Sequence, residues 1–81
     1  MNKEKIKKLI SSGREIEYIY NKKKYSITYG KLNGKEVISF CEYYKETTEV
    51  STVEELLNIK RYGVSVEEML TSISDDNIWI F

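Results

Sequence analysis

The only cysteine of the chain, Cys41, lies in the run ISFCEYYKE, beside a glutamate and two tyrosines. A cysteine is a nucleophile only as the thiolate, which a nearby cation such as Lys24 would have to stabilise. The chain has no histidine, which excludes Cys-His sites, Ser-His-Asp triads and zinc sites with histidine ligands. One cysteine also cannot form a thiolate cluster. We therefore interpret Cys41 as a small, half-buried residue of a strand.

Adjacent carboxylates are the other residues whose types suggest chemistry. They form three pairs: Glu54-Glu55, Glu67-Glu68 and Asp75-Asp76. The first two pairs fall in predicted first turns of helices, where the helix dipole is a sufficient reason for them. Acid-base or magnesium chemistry needs carboxylates that face each other across a pocket, and 81 residues leave little room for one. The glycines are isolated, so no phosphate loop is present. We predict a protein that is not an enzyme and needs no metal or cofactor.

Length and composition predict one small domain over residues 1–81. The apolar fraction of 41% and the absence of proline indicate a globular chain. Its core must be thin, so a partner or an oligomer is a natural source of further burial. Nothing in the sequence directs the chain to export or into a membrane, and we expect a cytoplasmic protein.

A helix and three strands are predicted in the first half. Apolar residues at i, i+3 and i+4 predict a helix over Lys3–Ser12 that ends at Gly13. The period then changes to two over Arg14–Tyr20 and again over Lys24–Gly30. We place the first hairpin turn about Lys22 and Lys23, which pairs Tyr20 with Tyr25, Tyr18 with Ile27, and Ile16 with Tyr29. The second turn is Asn33-Gly34, a type I′ signal, which pairs Tyr29 with Ile38, Ile27 with Phe40, and Tyr25 with Glu42.

These registers sort the side chains onto two faces. The first face receives Ile16, Tyr18, Tyr20, Tyr25, Ile27, Tyr29, Ile38, Phe40 and, at its edge, Tyr44. The second, more polar face receives Glu15, Glu17, Ile19, Ser26, Thr28, Val37, Ser39, Cys41 and Tyr43. If the helices cover one face, the second stays partly open, and Ile19, Ser26, Ser39, Cys41 and Tyr43 become a candidate contact surface.

The second half predicts two short helices after a polar loop over residues 45–50. Their starts are STVEELL from Ser51 and VSVEEML from Val64, the latter with a capping box of Ser65 and Glu68. Gly63 is expected to end the first of them. After the break at residues 75–77, the apolar segment Ile78–Phe81 either forms an edge strand or packs on the sheet, or docks into another protein by strand addition. The fold class is thus α+β: an N-terminal helix, a three-stranded antiparallel meander, two short helices and a short terminal strand.

Charge is segregated although the net charge is zero. Residues 1–35 hold ten Lys/Arg and three Asp/Glu, whereas residues 36–81 hold three and ten. Either the two halves neutralise each other in the fold, or they present two oppositely charged surfaces.

Seven tyrosines, six of them between Tyr18 and Tyr44, are the most unusual feature. Most are expected to bury their rings in the thin core and keep the hydroxyl wet. Beside Lys22, Lys23 and Lys24 they also suit stacking on single-stranded nucleic acid, although glutamates nearby repel phosphates. Tyrosine is equally typical of protein-binding surfaces.

The run REIEYIYNKKKYSITY, followed by ISFCEYYKE and a VEELL helix, resembles small uncharacterised proteins of phages and other mobile elements of low-GC Gram-positive bacteria. The likeness covers most of residues 14–57 and is one of composition and order. Such small α+β proteins include anti-CRISPR and other anti-defence inhibitors, which occupy a host nuclease or its signalling ligand. The resemblance therefore implies a class of role, and it assigns no residue.

Our leading hypothesis is an intracellular inhibitor that binds a larger host protein such as a nuclease, with carboxylates that imitate phosphates. The candidate binding residues are Ile19, Glu42, Tyr43, Glu46, Glu49, Glu54, Glu55, Asp75, Asp76 and Trp79. A second hypothesis is single-stranded nucleic-acid binding through Lys22, Lys23 and Lys24. A third is an oligomer that sequesters a small ligand in a tyrosine-lined pocket.

Overall fold

The structure is a computed structural model that describes residues 1–81. Its elements in chain order are α1 (Lys3–Ser11), β1 (Ile16–Tyr20), β2 (Lys23–Leu32), β3 (Lys35–Glu42), β4 (Thr47–Val50), α2 (Val53–Leu57), β5 (Lys60–Arg61), β6 (Val64–Ser65), α3 (Val66–Ser72), a 3-10 turn (Asp75–Asn77) and β7 (Ile78–Ile80). The longest of the helices has nine residues, and none is long and apolar enough to cross a membrane.

Five strands, not three, form the main sheet, in the order β4-β3-β2-β1-β7, and every neighbouring pair is antiparallel. The α+β class is confirmed, and the edge-strand prediction for the terminal segment is confirmed by β7. The polar loop predicted at residues 45–50 is wrong, because Thr47–Val50 pairs with β3 as β4. Threonine and valine are good strand residues, and pairing gives their backbone groups partners that a loop would lack.

The first hairpin turns one residue earlier than predicted. Asn21 and Lys22 both have positive φ, 49° and 66°, as a two-residue type I′ turn requires. Tyr18 consequently lies opposite Tyr25 instead of Ile27, and Ile16 lies opposite Ile27. The register differs from the prediction by two residues, which is one full period of a strand, so the side chains keep their faces.

The second hairpin is confirmed in full. Asn33 and Gly34 have φ of 54° and 80°, and Ile27 lies opposite Phe40 as predicted. Because two central residues with positive φ fix the turn type, the loop sets the register of the whole ladder.

The core lies between one face of the sheet, here called the covered face, and the three helices. Its buried side chains come from every layer: Ile6, Ile10, Ile16, Tyr18, Tyr25, Ile27, Ile38, Phe40, Leu56, Leu57, Val66, Met69 and Leu70. Tyr18 and Tyr25 are fully buried, and Tyr18 donates its hydroxyl to the Met69 sulfur at 3.2 Å. Two of the seven tyrosines are therefore fully buried core residues.

The helices begin where side chains cap them. Thr52 with Glu55 and Ser65 with Glu68 both form complete capping boxes, which confirms the shared start of α2 and α3. Gly63 does not end α2, which already stops at Leu57. With Tyr62 it makes a positive-φ turn between β5 and β6, so the segment between the two helices is a small hairpin.

The environments of two side chains, Tyr44 and Glu42, differ from those expected from the sequence. Tyr44 is not on the first face, because β3 ends at Glu42 and Tyr44 occupies a turn with φ of 69°, where its side chain is 99% exposed. Glu42 lies on the covered face and is buried, although its side chain is a carboxylate.

Candidate functional site

No helix packs on the second face of the sheet, here called the bare face. Strand alternation and the pairing registers place on it Glu17, Ile19, Lys24, Ser26, Thr28, Val37, Ser39, Cys41, Thr47, Glu49 and Trp79. The predicted contact residues Ile19, Ser26, Ser39, Cys41 and Tyr43 are all partly exposed there. A three-layer fold would have hidden them, whereas this two-layer fold does not.

Four side chains meet on this face toward its β7 edge, and we name them the Lys24 patch: Lys24, Glu17, Tyr43 and Trp79. The Lys24 ammonium lies 4.8 Å from the centroid of the Tyr43 ring and 5.9 Å from that of Trp79. It also pairs with the Glu17 carboxylate at 3.4 Å. One cation thus touches two aromatic faces and one anion, all at partly exposed positions.

The backbone explains why these residues meet. Glu17 of β1 lies opposite Trp79 of β7, and Lys24 of β2 lies opposite Ile19. The Tyr43 N–H donates to the Lys24 carbonyl at 2.9 Å, which extends the β2–β3 pairing just past the end of β3. The patch therefore joins three regions that are far apart along the chain: the β1–β2 hairpin, the end of β3 and β7.

The Lys24 patch is only half visible in the sequence. Tyr43 and Trp79 were predicted as binding residues, but their common contact with Lys24 was not. Lys24 was considered as part of a basic run for nucleic acid and as a cation for a Cys41 thiolate, but not as a partner of these rings. No local pattern links Lys24 with Trp79, because their contact depends on the place of β7 beside β1.

The charge state of the patch follows from its surroundings. Burial raises the pKa of Tyr43, and the adjacent Glu17 carboxylate raises it further. Tyr43 therefore stays a neutral hydroxyl at physiological pH, and the patch carries one positive and one negative charge. Such a surface offers apolar contact, cation-π contact and hydrogen bonding within a small area.

Cys41 is engaged as a structural residue. Its sulfur lies 3.2 Å from the Glu42 carbonyl oxygen and 3.4 Å from the Lys45 carbonyl oxygen, and its single S–H proton is shared between these two acceptors. The ammonium of Lys24 is directed to the Lys24 patch instead. The chain contains no group of three or more side chains arranged to hold a metal ion.

Three of the candidate carboxylates have partners within the chain. Glu42, a candidate binding residue, is buried and accepts a hydrogen bond from the Tyr62 hydroxyl at 3.1 and 3.3 Å from its two oxygens, so it is not available as an exposed phosphate mimic. Glu54 pairs with Lys7 at 2.8 Å, and this hydrogen bond lowers the pKa of Glu54. Glu55 accepts from the Thr52 N–H as part of its capping box.

The remaining carboxylates are exposed but separated. Glu46 and Glu49 lie at or just before β4, at one edge of the sheet, whereas Asp75 and Asp76 precede β7 at the other edge. Four strand spacings of about 4.8 Å lie between these edges. The fold therefore does not bring the candidate carboxylates together into one acidic surface.

The three consecutive lysines are separated as well. Lys22 lies in the turn, and strand alternation sends the next two side chains to opposite faces. Lys23 lies over the Tyr62 ring at 4.7 Å, while Lys24 belongs to the bare face. A continuous basic surface with tyrosines is not formed at this turn.

An open groove of about 650 Å³ lies between the end of α1, the start of α2 and the β2–β3 hairpin. Its lining includes one tyrosine, Tyr29, and two residues of opposite charge, Lys31 and Glu36. This groove is therefore not the tyrosine-lined pocket that was expected for a small ligand.

Comparison of the chain with protein families, with curated proteins and with solved structures gives no match.

Proposed function

We propose that the protein is a non-catalytic protein-binding module that acts inside the cell, with the bare face as its contact surface. The observation that carries this proposal is the Lys24 patch, where one lysine lies against both a tyrosine and a tryptophan on the face that no helix covers. Tyrosine and tryptophan are the residues most enriched in the energetic centres of protein interfaces. The flanking positions Ile19, Ser39 and Cys41 are small or apolar, which suits close packing.

We further propose, on the resemblance to phage and mobile-element proteins, that binding inhibits a larger host defence protein such as a nuclease. This role does not require that carboxylates imitate phosphates. Glu42, Glu54 and Glu55 already have partners within the chain, so a mimicry surface would have to rest on the exposed carboxylates at the two sheet edges.

Single-stranded nucleic acid is the second candidate ligand of the same surface. A lysine beside two aromatic rings is the combination that such proteins use to hold the backbone and stack bases. Glu17 opposes it, since this carboxylate is 3.4 Å from the lysine and repels phosphate.

The test is capture of partners by the tagged protein from a lysate of a low-GC Gram-positive bacterium, with and without nuclease, quantified by mass spectrometry. The double variant Tyr43→Ala/Trp79→Ala is expected to lose the partner at least about tenfold, since central aromatic residues dominate binding free energies. Leu32→Ala is the matched control, because Leu32 is half exposed at the far tip of the β2–β3 hairpin.

Three outcomes are distinguishable. A protein retained by wild type and Leu32→Ala but lost by the double variant supports the proposal and identifies the partner. A protein retained equally by the wild type and both variants contradicts the assignment of the surface. Recovery that disappears with nuclease, and that weakens steeply with salt, favours the nucleic-acid alternative.

A further inference from the structure

The two edges of the sheet are protected to very different degrees. At the β4 edge, Glu49 is exposed, and Arg61 of the small hairpin donates to Thr48 at 2.7 Å. At the β7 edge the strand contains no charged residue and no proline, which are the usual devices that prevent pairing with another chain. Trp79 and Phe81 at this edge expose 42% and 60% of their surfaces.

The backbone of β7 has free groups that point outward. The Phe81 N–H donates to the Glu15 carbonyl, and Trp79 lies opposite Glu17. In an antiparallel ladder, alternate residues direct both backbone groups to the same neighbour. The N–H and C=O of Ile80 therefore point away from β1.

We propose that β7 pairs antiparallel with β7 of a second copy of this chain, with Ile80 on the two-fold axis. Each Ile80 then exchanges two N–H to C=O hydrogen bonds with Ile80 of the partner subunit. The two five-stranded sheets become one continuous sheet, and both bare faces lie on the same side. The contact is isologous, so it closes at two copies and leaves no further β7 edge free.

This register produces an aromatic contact across the axis. With Ile80 opposite its own copy, Trp79 lies opposite Phe81 of the partner subunit, and the reverse pair forms by symmetry. These are non-hydrogen-bonded positions, where Cβ atoms are about 4.5–5.5 Å apart and aromatic pairs are favoured. Trp79 and Phe81 are two residues apart, so all four rings lie on the bare face.

Charge complementarity supports the same occupant. Arg14 donates through Nε to the Phe81 carbonyl, which holds its guanidinium at the carboxyl end of β7. Asp75 and Asp76 form the turn at the amino end of β7. Antiparallel pairing brings each amino end beside the carboxyl end of the other copy, so Arg14 approaches Asp76 of the partner subunit twice. Asp75 and Asp76 have no ion-pair partner within the chain.

The area indicates a weak dimer. An aromatic ring offers about 150–250 Å², so the exposed fractions of Trp79 and Phe81 supply roughly 200 Å² per copy. A stable interface buries about 800 Å² per partner. The contact is therefore expected to form and dissociate readily, and to depend on concentration and on salt.

Analytical ultracentrifugation of the isolated wild-type protein tests the proposal over concentrations up to about 1 mM, at low and at physiological salt. Trp79 is the only tryptophan, so its fluorescence reports on the interface directly. We expect the dimer fraction to rise with concentration, together with a blue shift of the emission and reduced quenching by acrylamide. A monomer at every concentration, with unchanged emission, overturns the proposal.

Two charge reversals test the register. Arg14→Glu alone and Asp76→Arg alone are each expected to raise the dimer dissociation constant at least about tenfold, because each places like charges together. An equimolar mixture of the two variants is expected to associate, since both cross-chain pairs are then of opposite sign. Failure of the mixture to associate, while the wild type does, contradicts this pairing.

Two further variants separate the interface from folding. Ile80→Pro removes the outward N–H and leaves the bonds to β1 in place, so it is expected to abolish the dimer with the monomer still folded by circular dichroism. Glu49→Lys at the β4 edge is the control and is expected to leave the dissociation constant unchanged. Self-association needs no other partner, so its failure leaves the protein-binding proposal intact.

Discussion

Both faces of the sheet carry aromatic residues, but the rings are buried on the covered face and accessible on the bare face. On the covered face Tyr18, Tyr25 and Phe40 stack in one row, with centroid distances of 5.2 and 5.5 Å, and no ring exposes more than 1% of its surface. On the bare face Tyr43 and Trp79 flank a lysine and remain accessible. An aromatic residue in this sheet therefore stabilises the fold or forms a contact surface according to its parity along the strand.

The difference has a thermodynamic meaning. Rings on the covered face gain the full hydrophobic and dispersion contributions of a close-packed interior. Rings on the bare face still have solvent on one side, so they add little to the free energy of unfolding. Residues that can be changed without loss of the fold are the ones that are available for binding.

The largest effect is expected from truncation on the covered face. Phe40→Ala should lower the free energy of unfolding by about 3–5 kcal/mol, the usual cost of Phe→Ala in a core. A domain of this size has a total of roughly 5–10 kcal/mol, so the variant should be close to unfolded. Urea denaturation followed by circular dichroism measures this change.

Tyr43→Ala is the matched variant on the bare face. Its urea midpoint should stay near that of the wild type, because Tyr43 lies past the end of β3 and packs against no helix. Comparable losses for Phe40→Ala and Tyr43→Ala would contradict the distinction between the two faces.

A smaller effect is expected from the ionisation of buried tyrosines. Burial raises the pKa of Tyr18 above its ordinary value of 10.0, and burial raises the pKa of Tyr29 to about 12. A group whose pKa is raised in the folded state contributes fully below pH 10. Above that pH the unfolded side chain ionises first, and the contribution is lost.

Tyr18→Phe isolates this term. Between pH 8 and pH 11 the wild type should lose about 1.4 kcal/mol more stability than the variant, because one pH unit above the unfolded pKa corresponds to that amount. Urea denaturation at the two pH values gives the difference, in which lysine titration cancels. Equal losses in both proteins would mean that Tyr18 ionises without cost in the folded state.

The smallest effect is expected from the ion pair of the bare face. Lys24 and Glu17 expose 41% and 32% of their side chains, and pairs of this kind contribute about 0.2–1 kcal/mol. A double-mutant cycle with Lys24→Ala and Glu17→Ala should give a coupling energy near 0.5 kcal/mol that falls in high salt. A coupling above about 2 kcal/mol would indicate a desolvated pair and a patch that is part of the structural core.

Local signals predicted much of the fold. The Asn33-Gly34 turn, both starts of the C-terminal helices and the alternation of the first three strands are all confirmed. The errors in the predicted fold occur where a local sequence signal is weak or is compatible with more than one local structure. Lys22 can take a left-handed conformation at some cost, so the first turn formed at Asn21-Lys22 and not one residue later. Gly63 marked a turn correctly, but the turn belongs to a hairpin and not to a helix end.

The candidate site was less predictable than the fold. Tyr43 and Trp79 stood out by type, and the strand pattern assigned a face to Tyr43 but not to Trp79. Glu42 was a candidate phosphate mimic, a role that requires an exposed carboxylate, but the structure buries it. Its burial depends on the Tyr62 hydroxyl, twenty residues away in the chain. A hydrogen-bond partner of that kind leaves no trace in the local pattern around either residue.

By itself, the sequence determined the α+β class, the absence of histidine-dependent chemistry, the second hairpin register, and which side chains share a face of the first three strands. Turn geometry, helix caps and a period of two act over a few residues, so they can be recognised without the fold. Only the tertiary structure decided which face the helices cover, that β4 completes one edge and β7 the other, and that Lys24 meets Trp79. Those outcomes depend on contacts between segments distant along the chain, where packing of the whole domain selects one arrangement from several that the local patterns permit.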